Sequence, residues 1–241
     1  MTNNINYLKK IDFKYWRSAN HFTGETPVSN SQQTFLKLLQ NRGYLIDFKP
    51  KTGSDYTEII NKNINSFKKD LCDNETLANT FDLIQAWGGK NGRGPYVKPK
   101  NNTVRENFEN WKEKYINGAK FTLNNDPSNA LKEWISIAQL SMGFASKHLF
   151  FWSGEKYPIL DTRMSLILTG KKLNNSLDQY VNANNLMSKL SAHFHVCNVE
   201  TEKAVFAFSI NFFPNSELKL NNNPIDLTDI EIAKSISEIN K

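Results

Sequence analysis

Cysteine is almost missing from this chain. Only Cys72 and Cys197 occur among 241 residues, which excludes a disulfide framework and suits a reducing compartment. Two are also too few for a four-cysteine iron-sulfur cluster within one chain. Long apolar runs are missing as well: none approaches the roughly 20 residues that span a bilayer. The start, Met1-Thr2-Asn3-Asn4-Ile5-Asn6, has no apolar signal-peptide core, so a cytoplasmic protein without a membrane partner is expected. No repeat or low-complexity tract occurs, although Asn and Lys are abundant. Acidic residues are the scarcer charge, 24 against 30 Lys+Arg, giving net +6 and a pI of about 9.1. That excess fits a nucleic-acid partner, though many basic proteins bind none.

What is present is helical periodicity. Phe35, Leu36, Leu38 and Leu39 recur until Gly43, and Tyr56, Ile59, Ile60, Ile64 and Phe67 form a second stripe. Asn74 is placed to cap a third helix with Leu77, Phe81 and Ile84. Thr103 and Glu106 make a capping box before Phe108, Trp111 and Tyr115. Asp126-Pro127 opens a helix through Ala130, Leu131, Trp134 and Ala138, and Ser176 opens one through Tyr180, Leu186 and Leu190. Residues 200–213 are apolar, and Thr228 with Glu231 begins a last helix through Ile236. The expectation is an all-α protein of roughly nine or ten helices, as one domain or two intimately packed lobes. Residues 1–30 carry Tyr7, Phe13, Tyr15, Trp16 and Phe22, which predicts a packed arm of unreadable secondary structure.

Candidate chemistry centres on residues 140–163. The small-residue run Met142-Gly143-Phe144-Ala145 reads as a hairpin leading into a helix, with Lys147 in that helix's first turns. The positive end of the helix dipole and the neighbours Phe144, Phe150, Phe151 and Trp152 favour its neutral, nucleophilic amine. Asp161 precedes another helix as an N-cap and stays ionised. A solvated lysine and a capping aspartate account for the same residues without any chemistry. Trp87-Gly88-Gly89-Lys90-Asn91-Gly92-Arg93-Gly94-Pro95, trailed by Lys98 and Lys100, reads as a flexible cationic loop in which Lys90 and Arg93 meet phosphates, or as a plain connection. It is not a nucleotide-binding Walker loop. His193, His195 and Cys197 lie on one short stretch and have no evident fourth ligand, so no metal is expected. Trp87, Phe151, Phe206 and Phe208 have the rings to stack on a base, and they fit core packing equally well.

The run Met142-Gly143-Phe144-Ala145-Ser146-Lys147, followed by Leu160-Asp161-Thr162, resembles the helix-hairpin-helix of the HhH-GPD superfamily of DNA glycosylases, nearest the 8-oxoguanine glycosylase-like branch. Gly143 matches the first hairpin glycine, Lys147 the catalytic lysine and Asp161 the aspartate. Met142 stands in place of the proline and Ala145 in place of the second glycine, and the fourteen-residue step from Lys147 to Asp161 is short for the family. The resemblance covers about a tenth of the chain. It implies a two-lobed helical fold with an active-site cleft between the lobes: residues 52–157 as a helical barrel, and residues 1–51 plus 158–241 as the second lobe. The implied activity is a bifunctional glycosylase and AP lyase, acting as a monomer on double-stranded DNA with a flipped damaged or modified purine, 8-oxoguanine first. Lys147 attacks the sugar and forms a Schiff base, and Asp161 stabilises the developing positive charge. Gly143, Ala145 and Ser146 bind DNA beside Lys90 and Arg93, while Phe151, Trp87 and Phe208 line the base pocket. No cofactor is implied beyond a monovalent cation at the hairpin, and no iron-sulfur cluster. The alternative is a non-catalytic helix-hairpin-helix module that binds DNA or a partner in a repair or defence assembly.

Overall fold

The computed structural model describes residues 4–18, 26–70, 72–96, 105–212 and 227–239, and all structural statements concern these. They form twelve α-helices: α1 Ile5–Leu8, α2 Phe13–Ser18, α3 Asn30–Gln40, α4 Gly53–Lys68, α5 Asn74–Trp87, α6 Phe108–Leu123, α7 Pro127–Ile135, α8 Met142–Trp152, α9 Thr162–Thr169, α10 Leu177–Phe194, α11 Asn198–Phe212 and α12 Leu227–Ile239. The 3-10 helices Gly89–Tyr96 and Arg105–Asn107 complete the set. Among the described residues, extended pairing is limited to one bridge between Pro27 and Thr52. The all-α expectation therefore holds. No helix among them is long and apolar enough to cross a membrane.

Contacts divide the chain into a terminal unit, Met1–His21 with Lys156–Lys241, and a central unit, Phe22–Glu155. Residues 22–51, expected with the chain ends, fall in the central unit. The reason is visible in α3, whose buried Phe35 and Leu39 face inward and which packs on α5 and on the 3-10 helix Gly89–Tyr96.

In the central unit α5 is the middle element. Its residues 80–86 are buried without interruption, which marks a helix enclosed on all sides rather than one with a single apolar stripe. Asp73, not Asn74, caps it, accepting from the Thr76 N–H at 2.7 Å. Around it stand α3, α4 and α8, and α6 packs along α7 and α8. The α6–α7 contact is close because position 118 is glycine, so the backbone of α6 lies against the Trp134 indole, whose N–H donates to the Tyr115 carbonyl at 3.2 Å. Asp126 caps α7, accepting from the Asn129 N–H at 3.1 Å, and Pro127 occupies the first turn, as the sequence indicates. The capping residue Thr103 lies outside the described residues, and α6 begins at Phe108 after Asn107.

The terminal unit resolves the arm that sequence left unread. Helix α2 packs on α11, with Trp16 edge-on to Phe208 at 5.6 Å. The Trp16 indole N–H donates to the buried carboxylate of Asp229 on α12 at 2.7 Å, and the Asp12 N–H reaches the same carboxylate at 3.3 Å. Asn4 ties α1 to α9 by donating to the Ile167 carbonyl at 2.9 Å.

Gly118→Ala tests the α6–α7 seam. The added methyl has no space beside Trp134, so the variant should lose about 1–3 kcal/mol, seen as a melting-temperature drop of about 2–4 °C per kcal/mol. An unchanged melting temperature would show that the two helices separate without cost.

Candidate functional site

The expected hairpin is displaced. Helix α7 ends at Ile135, the connection runs through residues 136–141, and α8 begins at Met142 with Ser141 as its N-cap. Gly143 and Ala145 are therefore helical, in the first turn of α8, and the Ala145 N–H is spent on the Ser141 carbonyl at 2.8 Å. Gly143, Ala145 and Ser146 are all buried, and the Ser146 hydroxyl donates back to the Gly143 carbonyl at 3.0 Å. The exposed part of the motif is Ser136, Ala138, Gln139 and Ser141, with Gln139 at φ 68° making the reversal. The Ser136 carbonyl already takes the Lys114 ammonium at 3.4 Å, which competes with any monovalent cation at this turn.

Lys147 lies in the second turn of α8. Every other residue of this helix is buried, and Lys147 alone is half-buried. Its Nζ sits 4.9 Å from the centroid of the Phe144 ring and 3.5 Å from the Gly143 carbonyl. Its alkyl stem passes over Gly88, where a side chain would meet both Phe144 and Lys147. Trp87 joins from the end of α5, edge-on to Phe151 at 5.1 Å and stacked on Phe150 at 6.4 Å. Lys147, Trp87 and Phe151 thus belong to one apolar wall of the central unit, built where α5 meets α8.

The glycine run beside this wall is not a loose loop. Residues Gly89–Tyr96 form a 3-10 helix with Gly89, Gly92 and Pro95 buried. Gly92 abuts the Gln85 carbonyl and Phe144, and Gly94 abuts the Gln139 carbonyl. These glycines serve close packing against the start of α8 and its preceding turn. Lys90 and Arg93 stay exposed on the outer face; Lys98 and Lys100 lie outside the described residues.

Asp161 belongs to the terminal unit. It caps α9, accepting from the Met164 N–H at 2.8 Å, as expected of its position. The segment leading to it is held by the Tyr180 hydroxyl, which donates to the Pro158 carbonyl at 3.2 Å. Phe208, expected as a pocket wall, is fully buried in the terminal unit against Trp16. His193 bonds the Lys9 carbonyl at 3.1 Å, and His195 ends α10 in the left-handed region. Among the described residues no group of three His, Cys, Asp or Glu gathers as a metal site.

Two polar clusters went unread in the sequence. Asp82 has no exposed surface and accepts from the Tyr96 hydroxyl at 2.5 Å and from Arg105 Nε and Nη2 at 2.8 and 2.9 Å. Burial pushes its carboxyl above the ordinary range, against the pull of Arg105 and Tyr96. The Arg105 guanidinium lies 4.5 Å over the Tyr44 ring. His148, next to Lys147, is equally buried. Its Nε2 lies 2.9 Å from the Gln85 side chain, and its Nδ1 lies 3.0 Å from the Tyr115 hydroxyl, which also accepts the Trp152 N–H at 3.1 Å. The signal was available in both cases: one ionisable residue inside an apolar helical run.

Burial, with a smaller push from Lys147, lowers the His148 pKa to about 3 from 6.5. The folded protein keeps the ring neutral down to that pH, while the unfolded chain protonates near 6.5. This contribution to stability is whole above about pH 6.5 and shrinks as pH falls toward 3, by at most about 1.4 kcal/mol per unit. Urea midpoints from pH 7 to pH 4.5 should fall more steeply for wild type than for His148→Gln. Parallel slopes would mean that the imidazole protonates without unfolding cost.

Compared with protein-family models, with curated proteins and with solved structures, the chain matches none. The resemblance to DNA glycosylases rests on residues 142–147 and 160–162 alone.

Proposed function

We propose that the protein is a DNA glycosylase with lyase activity, in which the Lys147 amine attacks the C1′ carbon of a flipped nucleotide. The observation that carries this reading is the burial pattern of α8: one lysine emerges from an otherwise buried helix, with its stem against Gly88 and its amine over Phe144. Partial burial among apolar side chains works against the ammonium, the Phe144 ring face and the Gly143 carbonyl work for it, and the reading requires the neutral amine at the moment of attack. Attack expels the base with the electrons of the glycosidic bond, and the resulting imine permits strand cleavage. The resemblance alone assigns to Asp161 the stabilisation of the positive charge that builds on the sugar. Of the expected pocket rings Trp87 is partly exposed, whereas Phe151 is buried edge-on to it, so Trp87 is the ring offered to the extruded base, most simply a modified purine such as 8-oxoguanine. A duplex has to be gripped by phosphate contacts, for which Lys90, Arg93 and the exposed turn at 136–141 are available.

A second reading has its own support. Because Gly143, Ala145 and Ser146 are buried and the exposed turn is displaced from them, the same surface suits a module that binds DNA or a partner without chemistry.

Borohydride trapping on duplexes carrying abasic sites or a panel of modified bases separates the two. The glycosylase reading expects a covalent complex that Lys147→Gln abolishes with DNA affinity retained. Asp161→Asn should lower excision far more than binding, and should cost at most about 1 kcal/mol of stability, because Asn also caps well. Tight binding with no trapping on any substrate would leave the binding module. Replacing Lys90 and Arg93 with Ala should weaken all duplexes alike and reduce the slope of log affinity against log salt by up to about 2; an unchanged slope would remove this 3-10 helix from the interface.

A further inference from the structure

We propose that His148 is a positioning residue: a neutral imidazole, protonated on Nε2 and bonded at both nitrogens, that fixes the rotation of α8 and so aims the Lys147 amine. The proton assignment follows from the donors around it. The Trp152 indole N–H can only donate, and it donates to the Tyr115 hydroxyl at 3.1 Å. That hydroxyl still has its own proton to place, and burial raises its pKa far above 10, so it keeps the proton. His148 Nδ1, at 3.0 Å, is the acceptor it meets. Nδ1 therefore carries no hydrogen, and the neutral ring holds its proton on Nε2, facing Gln85 at 2.9 Å.

A ring N–H requires an acceptor, so Gln85 must turn its Oε1 toward the imidazole. In the structure the amide stands the other way, its Nε2 2.9 Å from the ring Nε2 and its Oε1 buried without a bond, so the proposed tautomer includes a half-turn of this amide. The opposite tautomer strands two buried groups, the Tyr115 hydroxyl proton and Gln85 Oε1. The arrangement proposed strands only the Gln85 NH2. Phe81 holds the plane of the ring by stacking at 5.0 Å and 17°.

Gln85 is on α5 and Tyr115 on α6, so one residue bolts α8 to two neighbours. Adjacent helical residues point about 100° apart. A rotation of α8 that broke the bolts would carry the Lys147 stem away from Gly88 at the end of α5. The catalytic consequence rests on the lysine-nucleophile reading; the geometry does not.

The test has three arms. Imidazole 15N–1H correlation spectra of the whole chain, with His148 assigned by His148→Gln, should show the Nε2–H tautomer unchanged from pH 5 to 8. An Nδ1–H pattern, or a titration near 6.5, overturns the assignment. Nuclear Overhauser contacts between the Lys147 methylene protons and the Gly88 α-protons should be present in wild type and absent in Lys147→Gln. In Tyr115→Phe, which removes one hydroxyl and keeps the ring, and in His148→Gln, those contacts should be lost; a folded variant that retains them overturns the positioning role. Trapping by the same two variants should slow on the order of tenfold to a hundredfold with DNA affinity kept. A wild type that never traps defeats the lysine reading, while the two spectroscopic arms still decide His148.

Discussion

A carboxylate with no exposed surface organises the central unit. Asp82 sits midway along the enclosed helix α5 and takes Tyr96, the last residue of one 3-10 helix, and Arg105, the first of the next. A buried ion pair is a poor source of net stability, but breaking one by removing a partner costs about 3–5 kcal/mol. The pair therefore works as a constraint on where chain goes. It brings Tyr96 to α5, Tyr96 meets Phe35 edge-on at 5.4 Å, and Arg42 of the α3 end bonds the Tyr96 carbonyl. With that end anchored, Gly89 is pressed against Ser31 of α3, Gly92 against α5 and α8, and Gly94 against the turn before α8. The surroundings of Lys147 are in this sense set from residue 82.

Much of the fold was legible because it depends on local patterns. The stripes of α3, α4 and α10, the Asp126-Pro127 start and the Asp161 cap all follow from spacing and capping chemistry within a turn or two. The hairpin was misplaced for a comparable reason. Gly143 and Ala145 read as breakers because small residues often end helices, yet here they let α8 enter a crowded core, and the reversal falls on Gln139, a residue that does not announce a left-handed backbone. Likewise Gly88, Gly89, Gly92 and Gly94 suggested freedom, whereas most of them answer a lack of space that only the packed helices create.

The candidate site divides along the same line. Lys147 and Asp161 were singled out by residue type and by position near helix starts, features that are local and visible in spacing. Phe208 was not distinguishable from a pocket residue, because an aromatic at helical spacing looks alike in a core and in a cleft. His148, Gln85 and Tyr115 come from three helices, and their hydrogen bonds exist only after α5, α6 and α8 have met. Such a network leaves no spacing to recognise, only a polar residue where an apolar one is expected.

The bond between Trp16 and Asp229 spans 213 positions of sequence. Both partners belong to the terminal unit, which draws on the two ends of the chain, whereas the central unit is one continuous stretch. On a ribosome the central unit has all its contacts available once residue 155 has emerged. The terminal unit must wait, with the ring of Trp16 and the apolar side of α2 uncovered, until α11 and then α12 are made. Synthesis thus imposes an order that the finished structure conceals: α2 is made before the central unit, yet Trp16 finds its partners only after that whole unit has been passed.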